Sequence, residues 1–458
     1  MLDPSIFKSY DVRGLVPEQL DEAGAARIAQ AFAAVIGARR ILVAKDVRRS
    51  GPALAAAAIE ALLNAGIDVV DVGTVSTDLF YFAMGTLDVD GGFTVSASHN
   101  PKEWNGFNFC RRAAVPLSMS SGLAAVRDLC VMPEKAPDPA VARGRLETAD
   151  LWDAFADYVL SYVDLAAISP MRVVANGNCG MQVRALKHVI KRGRLPLTVI
   201  PLHGEPNGEF PVPGGVPNPL LPANQGELCA EVVRQHADLG VAWDADGDRC
   251  FFVDETGYFI SGYFATAILA HSILSRYPGA TVVIDPRNIW ATQETIARLG
   301  GRTVLSRAGM TIIPESMRNA GAEFAGEMSA HFYFRRNWYR DNGMIPLLLL
   351  LELLGKQKRP LSYFSRPLRE RYFVSGELNF TVADTSAVLQ KAAELYSAGQ
   401  LDFTDGLAVA FPEWRFNLRA SNTEPLLRLN VEARTDSTLR TQLQELLWRL
   451  DLHLNQHA

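Results

Sequence analysis

The chain lacks the features that would commit it to an oxidised, membrane-bound or nucleic-acid-bound existence. Its five cysteines, Cys110, Cys130, Cys179, Cys229 and Cys250, are odd in number and scattered, with no metal-ligand spacing. Reduced thiols are expected, not a disulfide framework. No apolar run reaches the ~18 residues that span a bilayer. The longest, residues 344–354, contains Pro346 and Glu352 and is expected to form a buried helix. The opening MLDPSIFKSYDVRG has neither the basic start nor the apolar stretch of a secretory signal, so a cytoplasmic location is expected. An excess of one charge is also missing. The net charge of −5 offers no general attraction for nucleic acid, and local basic groups must meet any anionic ligand.

What is present is a soluble globular composition, 48% hydrophobic and 21% charged, over 458 residues, enough for three or four domains. Helical and extended patterns alternate. Residues 22–36 and 52–64 have helical spacing, and 40–44 and 67–72 read as strands. The rhythm restarts with a helix at 150–165, a strand at 172–175, a helix at 182–190, an extended run at 197–201, a helix at 227–236 and a strand at 239–243. It restarts again with helix 262–275, strand 281–285, helix 290–299 and a short strand at 302–305. The final ninety residues differ: strands at 372–382, 407–411, 414–418 and 426–432 flank helices at 386–396 and 436–453. Three similar α/β units, 1–148, 149–254 and 255–368, and a C-terminal α+β unit, 369–458, are expected. The Pro/Gly-rich stretch 206–222 reads as a loop within the second unit.

Five stretches carry chemistry. SASHNP places Ser98, His99 and Asn100 at the end of a strand. It is either an ordinary turn or a reactive serine held at a strand tip, and neighbouring side chains on a strand tip are expected to point apart. DADGDR, directly after a hydrophobic strand, sets Asp244, Asp246 and Asp248 at alternate positions. Their repulsion calls for a hard divalent cation, with Arg249 as partial counter-charge; a solvated acidic turn is the alternative. An EF-hand loop is disfavoured because its sixth position is Arg249 and a strand follows. GEMSAH offers Glu327 and Ser329 as hydrogen-bond partners for hydroxyls and His331 as a proton carrier, or else a polar turn. RASNTEP groups Arg419, Ser421, Asn422 and Thr423 between two strands, a cradle for a phosphate or a polar hairpin loop. YDVRG places Tyr10 and Arg13 where the arginine can face a phosphate or form a surface ion pair.

In this order, YDVRG, SASHNP, DADGDR, GEMSAH and RASNTEP resemble the α-D-phosphohexomutases, bacterial phosphomannomutase/phosphoglucomutase in particular. The resemblance runs from Phe7 to about Glu432. WRFNLRASNTEPLLRLN and residues 217–222 look especially like the phosphomannomutases of bacterial surface-polysaccharide pathways. It implies three similar mixed-sheet α/β domains plus a C-terminal α+β domain around a central cleft. It also implies a phosphorylated Ser98 and Mg²⁺ held by Ser98, Asp244, Asp246 and Asp248. Arg249 would then stabilise the transferring group, and His331 would move a proton. Tyr10, Arg13, Arg287, Glu327, Ser329, His331, Arg419, Ser421, Asn422 and Thr423 would bind hexose phosphates, with His99 and Asn100 supporting the serine turn. The implied reaction exchanges mannose 6-phosphate and mannose 1-phosphate, and glucose phosphates by extension, through a hexose 1,6-bisphosphate. Two positions depart from the pattern. Asn108 stands where the family usually has a lysine, and Met310 where it has a histidine. They motivate the alternative of a catalytically impaired sugar-phosphate-binding homologue.

Overall fold

The strands form sheets that mix parallel and antiparallel pairs, together with one wholly antiparallel sheet near the C-terminal end. The computed structural model describes residues 2–132, 141–420 and 426–453. Residue contacts divide it into two compact units, Met1–Phe259 with His331–Pro360, and Ile260–Ala330 with Leu361–Ala458.

In the first unit a mixed sheet is built on Arg40–Lys45, which pairs in parallel with Asp68–Thr74 and with Gly91–Val95. Gly91–Val95 then turns back antiparallel onto Trp104–Arg111, and that strand takes Val12–Leu15 on its other edge. All five residues of Gly91–Val95 are buried. A run without charged side chains suits a central strand covered on both faces. Helix Glu22–Ile36, capped at its N-terminus by Asp21 and closed by Gly37 at φ +65°, packs against helix Gly51–Asn64 over this sheet.

A second sheet follows. Met171–Asn176 pairs in parallel with Leu197–Leu202 and Leu239–Trp243, and Leu239–Trp243 pairs antiparallel with Cys250–Asp254. The acidic stretch 244–249 is therefore a hairpin loop between two fully buried strands. Gly247 sits there at φ +82°, where a Cβ would fall 2.4 Å from the Gln182 side chain, so both backbone hand and space demand glycine. The expected helix over 150–165 is shorter, Trp152–Leu160. The chain breaks at Ser161, and Asp164 caps a separate turn, Leu165–Ala167. The apolar run 344–354 is the buried helix Ile345–Gln357, which lies against Trp152–Leu160.

In the second unit Thr281–Ile284 pairs in parallel with Arg302–Leu305 and Phe324–Gly326. The C-terminal segment forms an all-antiparallel sheet, Phe373–Phe380, Leu427–Ala433, Trp414–Ala420, Leu407–Ala410 and Gln400–Asp402 in spatial order. Helices Thr385–Leu395 and Asp436–Leu450 contribute to its core. This is the α+β arrangement expected from the sequence. Among the described residues no helix is long and apolar enough to cross a membrane.

Candidate active site

Two clusters of buried polar side chains stand out, one in each unit.

In the first unit the strand Gly91–Val95 delivers the chain to Ser96, whose hydroxyl donates to Asp46 Oδ2 (2.7 Å) and whose Oγ accepts the Ser98 N–H (3.0 Å). Ser98 adopts φ +46°, a region serine seldom occupies. Arg48 holds it there. This fully buried guanidinium pairs with Asp46 (3.1 Å) and donates to the carbonyls of Ser98 (2.6 Å), Asn100 (2.7 Å), Pro101 (2.6 Å) and Trp104 (2.9 Å). One side chain thus satisfies the carbonyls of a turn that has no ladder to satisfy them. Asn100 Oδ1 accepts from Arg13, which also pairs with Asp11 (2.8 Å); Tyr10 is half-buried beside it.

The expectation that Ser98 and His99 point apart is corrected. Because the chain leaves extended geometry at Ser98, its Oγ lies 3.1 Å from His99 Nδ1. Burial and the positive charges of Arg249, Arg13, His331 and Arg48 push the His99 imidazole well below its usual pKa, so it stays neutral. A neutral ring can orient the hydroxyl without competing for a phosphate.

The hairpin loop places Asp244, Asp246 and Asp248 with carboxylate oxygens within 4.8 Å of one another, all buried. Asp244 accepts from Arg249 Nε (2.7 Å), and Arg249 also donates to Asn218 Oδ1 (3.0 Å), a residue of the proline-rich loop. Asp246 accepts from the Thr77 hydroxyl (2.9 Å). Asp246 Oδ1 and Asp248 Oδ1 are buried without a hydrogen-bond partner. Burial and the other aspartates raise Asp246 to about 7 and Asp248 well above the carboxylate range. Orphaned, mutually repelling oxygens on one loop are the donor set of a hard divalent cation, and these residues fit one. The pairing of Arg249 with His331 in an isolated bridge brings His331 Nε2 to 3.6 Å from Asp248 Oδ1 and 3.9 Å from Asp341 Oδ2.

The aspartates repel one another when no ion is held, so Asp246→Asn is expected to raise the melting temperature in chelator by about 2–5 °C. The parent is expected to be stabilised by Mn²⁺ and the variant is not. Differential scanning fluorimetry with and without Mn²⁺ reads both effects, and a destabilised variant in chelator contradicts the charge argument.

In the second unit Asp285 takes Arg287 on both oxygens (2.7 and 2.9 Å) and also accepts the Met328 N–H (2.7 Å). Arg287 lies 3.9 Å from Glu327 and 3.6 Å from Glu377. Glu377 gathers Arg419 (2.9 Å) and Arg428 (3.3 Å) as well. Glu327 is buried and accepts the Gly309 N–H (3.1 Å); Ser329 is half-buried on the turn that follows. Met310 is half-buried next to Gly309. Ser421, Asn422 and Thr423 lie outside the described residues.

The sequence reading passed over Asp46, Arg48, Thr77, Asp341 and Glu377. Asp46 and Arg48 had a usable signal: an acid and an arginine just past the C-terminal end of a parallel strand, where α/β sheets place ligands. Glu377 sits within a strand and gave none.

The chain's similarity to known proteins fixes its family. Family models described as phosphoglucomutase/phosphomannomutase match in chain order: alpha/beta/alpha domain I over 4–127, domain II over 153–257, domain III over 261–372, and the C-terminal domain over 377–447. The chain belongs to the phosphoglucomutase/phosphomannomutase family and is a mutase enzyme. It is 42% identical over 447 residues to "Phosphohexose mutases" of Xanthomonas campestris pv. campestris, covering 96% of this chain and 98% of that one. It is 40% identical over 438 residues to a phosphomannomutase of Salmonella typhimurium, covering 94% and 96%. A solved phosphoglucomutase/phosphomannomutase family protein from Burkholderia thailandensis superposes with a TM-score of 0.86 at 28% identity over 99% of both chains.

Proposed function

We propose that this enzyme interconverts mannose 6-phosphate and mannose 1-phosphate, and the glucose pair by the same route, through a phosphoserine at Ser98 and a hexose 1,6-bisphosphate. The observation that carries the reading is the serine turn, locked by Asp46 and Arg48, in the same compact unit as three buried carboxylates. Near-full-length similarity to proteins named phosphomannomutase supports the choice of sugar.

In the forward half-reaction a sugar hydroxyl oxygen forms a bond to the phosphorus as the Ser98 Oγ–P bond breaks. The hydroxyl proton leaves to a base, the role assigned to His331. In the return half, Ser98 Oγ forms a bond to the phosphorus of the other phosphate as the sugar O–P bond breaks, and the departing sugar oxygen takes back the proton held by His331. Arg249 stabilises charge on the transferring group. Mg²⁺ held by Asp244, Asp246, Asp248 and a Ser98 phosphoryl oxygen would neutralise part of that charge. Support for bringing Ser98 and the triad together comes from electrostatics: Arg13, bonded to the serine turn, feels Asp246, and His99 feels Arg249.

Arg13 and Tyr10 are assigned to substrate phosphate, with His99 and Asn100 supporting the turn. In the second unit Glu327 and Ser329 take sugar hydroxyls, and Arg287, Arg419, Ser421, Asn422 and Thr423 take the phosphate that is not transferred. The functional division of the chain follows 1–148, 149–254, 255–368 and 369–458, and the reaction is assigned to the cytoplasm. No observation favours the impaired binding homologue over an active enzyme. The test is a coupled assay on mannose 1-phosphate with Mg²⁺ and a hexose 1,6-bisphosphate. Steady turnover is expected, and a rate no greater than that of Ser98→Ala rejects the reading.

A further inference from the structure

Arg340 is buried completely, although no phosphate-facing motif of the sequence includes it. Taking a permanent cation out of water is costly and persists where negative charge repays it. The repayment is visible on one side. Arg340 Nη2 lies 3.5 Å from Asp341 Oδ1, and Asp341, His331 and Asp248 form a second group with ligand atoms within 4.8 Å of one another. On the other side the guanidinium carbon lies 3.9 Å from the Tyr81 ring centroid, a close cation–π stack. The Tyr81 hydroxyl in turn accepts the Asn108 amide N–H at 3.0 Å. Asn108 pairs in register with Thr94, on the strand that leads into the serine turn. Tyr81 therefore separates two places from which a charge can act on the acidic centre, its face and its hydroxyl. The face holds an arginine, and the hydroxyl end holds a neutral amide.

We infer that Arg340 is a second counter-charge of the acidic centre beside Arg249, a positioning residue that acts through Asp341 and does from the Tyr81 face what a cation at position 108 would do from the strand. Its guanidinium stays protonated, so it moves no proton. It sets the net charge around Asp248 and holds Asp341 toward His331. The inference rests on the phosphotransfer reading for its catalytic consequence, but not for its electrostatic one.

The two are separated by measuring Mn²⁺ binding to the full chain by electron paramagnetic resonance alongside mutase activity. Removing a nearby cation favours a divalent ion, so Arg340→Met is expected to bind Mn²⁺ about tenfold more tightly while its kcat falls. Asn108→Lys in the parent is expected to weaken Mn²⁺ binding by a similar factor. Combining the two is expected to return Mn²⁺ affinity toward the parent value and recover part of kcat. A side chain that merely fills space predicts unchanged or weaker Mn²⁺ binding in Arg340→Met and no rescue, and that result overturns the inference. Should Arg340→Met fail to fold, Asn108→Lys alone decides: unchanged or tighter Mn²⁺ binding overturns it. A parent chain with no mutase turnover would defeat the phosphotransfer reading, and the Mn²⁺ comparison would still judge this one.

Discussion

Ser98→Ala is expected to leave a folded protein whose turnover of mannose phosphates falls by about 10⁴-fold or more. Intact-mass measurement should find one added phosphate on the parent and none on the variant. The reason is local. The turn's backbone is held by Arg48 through four carbonyls and by Ser96 through the Ser98 N–H, and none of these contacts uses the Ser98 hydroxyl. What alanine removes is the hydroxyl, its contact with His99 and the oxygen that would carry phosphate. The melting temperature should therefore move little while activity disappears. Retained turnover in the alanine variant would exclude a phosphoserine route, and a mass increment mapping elsewhere would move the acceptor to another residue.

That asymmetry also marks what the sequence disclosed and what it hid. The serine, the aspartate loop and the arginine of the C-terminal segment were legible because short polar motifs interrupt hydrophobic strands. The βαβ rhythm was legible at helices such as Glu22–Ile36 and Gly51–Asn64, which alternate buried and exposed positions. Helix Thr77–Thr86 was not. Its residues Thr77 through Met84 are all buried, so no amphipathic stripe distinguishes it from a strand, yet it supplies Thr77 to Asp246 and Tyr81 to Arg340. Strand Phe324–Gly326 was too short to show a period. The long-range partners were hidden for a different reason. Asp46 and Arg48 meet the serine turn across some fifty residues; their place past the end of a parallel strand marks them as candidates for a site but does not name the turn they hold. The contact of Ser98 with His99 was misjudged because period-two geometry was carried past the strand end at Val95 to Ser98, where the backbone had already turned left-handed.

Arg48 carries the second large expected effect. Arg48→Met is expected to destabilise the first unit by about 3–5 kcal/mol, because it strands the buried Asp46 carboxylate and withdraws the donor from four carbonyls at once. The Phe210 ring, 4.9 Å from the guanidinium, would keep an apolar neighbour, so the loss is electrostatic more than steric. Activity should fall by about 10²-fold or more, since a serine at φ +46° relaxes once nothing holds its carbonyl. Two further substitutions separate these effects. Arg48→Lys keeps the charge beside Asp46 but cannot reach four carbonyls, so it should recover most of the stability and little of the activity. Asp46→Asn in the Arg48→Met background removes the stranded carboxylate and should recover stability alone. Denaturant midpoints and mutase rates on these variants give the answer. If lysine restored activity as fully as stability, the fork of hydrogen bonds to the turn would not be what holds Ser98 in place, and charge balance at Asp46 would suffice.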